Sequence, residues 1–252
     1  MEKTQILTEN KKASTKFLAV VFGYMFIGLA ITSLTAFLFA YIMAWKYGDG
    51  AGGLTASGYT LLLAVGIISL IVSYVDSIVM SIVSVKTGKA PWVGFIIYAI
   101  ALGFSFSLIL LAGVDIYLVA EAFGITCLAF GVMFLVGYFS PIDLSPLAFV
   151  GVALLIGVLL SSTIFGLWAM ISYLTSGSVA GFILYDYLIS LAIIVIAMLF
   201  TGYDANRMGK IAEQGMTNNN TALYCALTLY SDFILIFIRI LYILLLSKNR
   251  NS

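Results

Sequence analysis

Seven apolar runs, each long enough to cross a bilayer, decide what this chain can fold into. They fall at residues 17–45, 57–85, 92–113, 116–139, 146–170, 180–214 and 221–246. About 20 helical residues cover the ~30 Å of hydrocarbon in a bilayer. Backbone groups in lipid must bond within the protein, so runs of this length are read as helices. With 63% hydrophobic and only 9% charged residues, the chain could not clothe a water-facing surface in polar groups. The fold class expected is all-α: a polytopic membrane bundle of seven transmembrane helices.

Phe17 to Trp45 is too long for a signal-peptide core and is read as an uncleaved first span. The expected layout is a polar cytoplasmic tail at 1–16, a membrane domain at 17–246 and a C-terminal tail at 247–252. Turn chemistry separates the runs: GDGAGG at 48–53, Gly88 to Pro91, Gly113 with Asp115, Ser140 to Pro146, Ser176 to Ser178, and GMTNNN at 215–220. None of these links has room for an inserted soluble domain.

Lysine and arginine set the orientation. With the N-terminus inside, Lys3, Lys11, Lys12, Lys16, Lys86, Lys89, Arg207 and Lys210 fall on the cytoplasmic side, against Lys46, Lys248 and Arg250 outside. The short tails and few prolines fit a bacterial plasma membrane. The basic tail after the seventh run is the exception, and it leaves a half-inserted last segment open.

Several function classes are disfavoured. A net charge of +1 gives no field to draw nucleic acid. The chain has no histidine, and no Walker loop, dinucleotide fingerprint, HExxH pair or nucleophile elbow. Cys127 and Cys225 lie in apolar runs without metal-ligand spacing. No enzyme activity and no cofactor are expected, although two intramembrane aspartates leave an aspartyl-protease dyad as a minor alternative.

The informative residues are charges inside the spans, where each costs at least about 2.5–3.5 kcal/mol on insertion scales. If the sixth helix runs to a stop at Gly215 and the seventh starts near Thr221, ten residues separate Asp204 from Gln214 and eleven separate Thr221 from Asp232. At about 1.5 Å per residue both lie some 15 Å from the turn. Two carboxyl groups at one depth cannot both ionise cheaply, so a shared proton is expected. Its loss would separate the pair or recruit a hard divalent cation such as calcium.

Other charged residues fall inside the spans beside the pair. In the second run Ser69, Ser73, Ser77 and Ser81 repeat at i+4, with Asp76 and Ser84 on the adjoining strip. Asp76 is a candidate for the ion path. Arg239 lies two turns beyond Asp232, at a depth comparable to Glu121, so an Arg239 to Glu121 ion pair and a place for Glu121 along the path are expected. Asp115 and Asp186 are read as interfacial and simply solvated. Ala99, Gly103 and Ser107 form a small-residue stripe for close helix packing, and Trp45, Tyr47, Trp92, Tyr138 and Tyr173 an interfacial belt.

The segments VFGYMFIGLAITSLTA, YAIALGFSFSLIL, GYFSPIDLSPL, LFTGYDANRM and ALTLYSDFILIF together resemble the Bax inhibitor family, also called the transmembrane Bax-inhibitor-motif family, from about Phe17 to Leu246. The resemblance implies a seven-helix bundle with the last helix central and a pH-sensitive calcium leak. It also implies that Asp204 and Asp232 match the family's paired proton-sensing aspartates. Leu235 stands where many relatives carry Asn, and Tyr242 where they often carry Arg. The second run offers Asp76 in place of a Glu and an Arg latch.

The function expected is therefore a calcium leak gated by protonation of Asp204 and Asp232, which would also be the transient calcium ligands. Membrane lipid and calcium ions are the expected partners. The alternatives are a non-conducting regulator or adaptor acting on a protease or other membrane-protein partner, and a proton-coupled carrier of a small solute.

Overall fold

The structure, a computed structural model, describes residues 2–49, 53–87, 92–176 and 182–251. The side chains of 2–13, 81, 84–87, 173, 175–176, 182–183 and 249–251 are not described. Of the residues named above, Lys3, Lys11, Lys12, Ser81, Ser84, Lys86, Tyr173, Ser176 and Arg250 therefore lie outside the described side chains. Lys89 and the turns at 50–52, 88–91 and 177–181 lie outside the described residues altogether.

Among the described residues there are seven helices: α1 (Glu2–Tyr47), α2 (Ala56–Thr87), α3 (Trp92–Leu111), α4 (Ile116–Phe139), α5 (Ser145–Ser176), α6 (Phe182–Glu213) and α7 (Asn219–Asn251). Each contains a stretch long and apolar enough to span a membrane: Ser14–Tyr47, Ala56–Met80, Trp92–Leu111, Ile116–Phe139, Ser145–Ser172, Leu184–Glu213 and Asn219–Lys248. The protein is thus an integral, multi-pass, all-α membrane protein. Its surface carries Trp45, Tyr117, Phe149 and Leu174 in the open, an apolar exterior that suits lipid and not water. The polar N-terminal segment, expected as a tail, continues α1 back to Glu2, and α7 runs on into the expected C-terminal tail as far as Asn251.

The turn between α6 and α7 follows from its glycine and asparagines. Gly215 has φ 75°, a left-handed conformation that glycine adopts without a Cβ clash. Its N–H donates to Ala212 O at 3.1 Å and the Met216 N–H to Ile211 O at 3.2 Å, which together close the helix. Asn218 then caps α7, its Oδ1 accepting the Thr221 N–H at 2.8 Å.

The helices divide into two compact units, Met1–Ile116 with Ile211–Tyr230, and Tyr117–Lys210 with Ser231–Ser252. In the first, α3 packs on α1 through its small stripe: Ala99, Gly103 and Ser107 are buried. A Cβ on Gly103 would lie 2.7 Å from the Thr32 carbonyl oxygen, which is the close approach such residues permit. Phe39 meets Phe104 edge to face at 4.9 Å.

In the second unit, α4 lies against α6 with backbone nearly touching backbone at Gly137 and Gly202. An aromatic row on α4 faces α7: Phe123 and Phe130 each meet the Phe233 ring at 5.5 Å. Phe165 of α5 stacks on Tyr185 of α6 at 3.8 Å. The last helix supplies core residues to both units, Tyr230 and Leu229 to one, Phe233 and Ile236 to the other.

Candidate functional site

Thr201 and Asp204 are three residues apart on α6 and present one face to α7. The structure brings the Asp204 and Asp232 carboxyl groups together, each acting on the other. Thr201, fully buried, is the second partner of Asp232, and its Oγ1 donates to Ala197 O at 2.9 Å. Both aspartates are half-buried as residues, yet Asp232 Oδ2 is sealed and has no partner within the protein. Phe233, buried beside it, carries the aromatic row just described. Arg207, exposed one turn beyond Asp204, places a positive charge that acts on it.

The cytoplasm-facing end expected for α6 is tied to the link between α4 and α5. Asn206, 4% exposed, shares its two amide hydrogens among the carbonyls of Gly137, Ser140 and Ile142, each at 3.2 Å. Its Oδ1 accepts the Leu144 N–H at 3.3 Å. One turn further, Lys210 bonds Asp143 at 2.5 Å. Asp143 lies outside the spans, and the Lys210 hydrogen bond, with those from Ser145, lowers its pKa to about 2.

The remaining candidates have surroundings of their own. Asp76, on α2 in the first unit, has Oδ1 close to the space beside Gly94, and its buried Oδ2 has no partner within the protein. Ser69 and Ser73 turn their hydroxyls back onto the Val65 and Ser69 carbonyls at 2.7 and 2.8 Å. That satisfies the hydroxyl hydrogens within α2.

Glu121 is exposed and makes no ion pair with Arg239, so the expected pairing is corrected. Equal depth on two helices does not make two side chains face each other. Arg239 instead acts on Tyr242, whose hydroxyl donates to Asp186 Oδ2. Asp186, expected to be simply solvated, is half-buried and bonded across to α7. Sequence reasoning passed over Thr201, Asn206 and the Asp186–Tyr242 bond. The i−3 spacing of Thr201 from Asp204 was the available signal for the first.

Comparison with known proteins agrees with this architecture. The family described as "Inhibitor of apoptosis-promoting Bax1" matches residues 14–250. An uncharacterized protein of Borreliella burgdorferi is 29% identical over 262 residues, covering 100% of this chain and 97% of that protein. With the family match running through all seven helices, the chain belongs to the Bax inhibitor family.

Proposed function

We propose that this protein is a pH-sensitive calcium leak, closed while Asp204 and Asp232 share a proton and opened when they lose it. The observation that carries the reading is that the two carboxyl groups lie against each other across α6 and α7. Ionised carboxylates only accept hydrogen bonds, so two carboxyl groups so placed attract each other only when one of them carries a proton. Removing it leaves two like charges in contact beside buried aromatic rings, where low dielectric magnifies their repulsion. Rising pH therefore favours separation, and falling pH favours closure.

A divalent cation of oxygen preference is the natural visitor to the opened pair. Calcium takes about 6–8 oxygen ligands, whereas the pair and the Thr201 hydroxyl supply part of such a shell. Among the described residues no group of three His, Cys, Asp or Glu side chains is placed to hold a metal. An incomplete shell suits an ion in transit, with Asp76 and Glu121 as further acids along the route. In this reading the protein sits in a bacterial plasma membrane with its N-terminus cytoplasmic.

The test is calcium entry into vesicles carrying the reconstituted protein and an internal calcium dye, across a pH series. Wild-type flux is expected to rise with pH, and Asp204→Asn and Asp232→Asn to lose that rise. Identical, pH-independent traces for all three proteins would remove the gate.

A further inference from the structure

Asp186, Ser190, Ile193, Ala197, Thr201 and Asp204 follow one another at helical spacing along a single face of α6. Polar contacts with α7 mark both ends of that face. At the end near the α6–α7 turn, Asp204 and Thr201 meet Asp232. At the distal end, Tyr242 donates to Asp186, and the Arg239 charge, one turn before Tyr242 on α7, acts on the tyrosine. Arg239 stands seven residues beyond Asp232, two turns along the same face of α7. A seam with polar ends therefore runs between the two helices.

The seam is also where buried polar groups go unpaired. Among the described residues, four sealed side-chain polar atoms have no partner within the protein, and three of them are Asp232 Oδ2, Ser190 Oγ and Arg239 Nε. Ser190 is 0% exposed, and it lies on the α6 face between the two bonded ends. Sealed polar atoms require partners, and leaving one unmade costs about 1–3 kcal/mol. Water bridging successive groups is the partner that serves a hydroxyl, a carboxyl and a guanidinium alike.

We propose that the α6–α7 seam holds a water path between the Asp204–Asp232 pair and the distal Asp186–Tyr242–Arg239 cluster, and that the Tyr242–Asp186 bond closes its distal end. The inference deepens the leak reading by naming the route, and it rests on that reading for its use by a cation. Water is the species that occupies it at rest. The Arg239 guanidinium at its distal end disfavours cations until Asp186, released from Tyr242, offsets that charge.

Cysteine accessibility tests the path without measuring flux. Cys127 and Cys225, both free, are replaced by alanine. Ser190→Cys and Ile193→Cys are then labelled in vesicles with a water-soluble, membrane-impermeant methanethiosulfonate. Leu188→Cys, on the lipid-facing side of the same turn, serves as the control.

Both seam positions are expected to label, and to label about tenfold faster with Tyr242→Phe, the weight of one hydrogen bond. Leu188→Cys should stay unlabelled in both backgrounds. Seam positions that resist the reagent with and without Tyr242→Phe, or that label no faster than Leu188→Cys, would overturn the path. Labelled seam positions in a protein that passes no calcium at any pH would uphold the path and sink the leak. The two failures are thus distinguishable.

Discussion

Gly137 of α4 and Gly202 of α6 meet backbone to backbone, so closely that a Cβ on Gly137 would lie 2.8 Å from the Gly202 Cα. That contact sits two residues before Asp204 and fixes how near the α4 wall stands to the candidate site. Gly137→Ala must push the helices apart, and overpacking of this kind costs about 1–3 kcal/mol. Gly131→Ala, where a Cβ meets nothing within 4 Å, should leave thermal unfolding in detergent unchanged or slightly higher, since alanine favours helix. Equal melting temperatures for the two variants would contradict the close approach.

Asn206 gives the second prediction. Its side chain satisfies three carbonyls and one N–H of the α4–α5 link, all of which Asn206→Leu would strand. Each of these groups that stays buried without a partner costs about 1–3 kcal/mol. The link should then become accessible: protease cleavage between Ser140 and Ser145 is expected in Asn206→Leu and not in wild type. An uncut link in the variant would mean that the clamp does not hold it.

The spans were legible because lipid imposes a crude requirement, about 20 apolar residues per crossing, that composition alone reveals. The stop at Gly215 was legible for a local reason, since a glycine after a helix run needs no tertiary context to adopt positive φ. The adjacency of Asp204 and Asp232 could be counted from that turn, because two helices joined by a short link are in register near it.

What could not be read was orientation around a helix axis far from a turn. Glu121 and Arg239 were counted to one depth, yet Glu121 is exposed and no ion pair joins the two. Asp186, seen as one charge near a span end, gains its meaning only from Tyr242, 56 residues away. Asn206 carries no local signal of its role, because the carbonyls it serves belong to a link some sixty residues earlier.

Asp143 supplies a pH prediction outside the membrane. Lys210, then Ser145, lower its pKa to about 2 in the folded protein, against about 3.9 for a free aspartate. A depressed folded value means the tie stabilises fully above the unfolded pKa and is lost as pH falls through the folded one. Asp143→Asn should therefore melt slightly below wild type at pH 7, and the gap should close between roughly pH 4 and pH 2. The gap stays small because both side chains are largely exposed, at 45% and 62%. A gap that persists unchanged at the acid end would show that the carboxylate charge is not its source.

Thr32 and Tyr230 form the buried polar tie of the first unit. Thr32 Oγ1 donates to Ala99 O at 2.9 Å, which uses its one hydrogen, so the bond to Tyr230 is donated by the tyrosine hydroxyl. Tyr230→Phe removes that donor and leaves Thr32 with its carbonyl, a loss of about 0.5–1.5 kcal/mol. Thr32→Val instead strands the hydroxyl of a fully buried tyrosine, at about 1–3 kcal/mol. The double variant should lose less than the two single losses added, since the second change removes a group the first has already orphaned. Strict additivity in unfolding measurements would mean that the two hydroxyls act independently, and the tie would then carry no weight in holding α7 to α1.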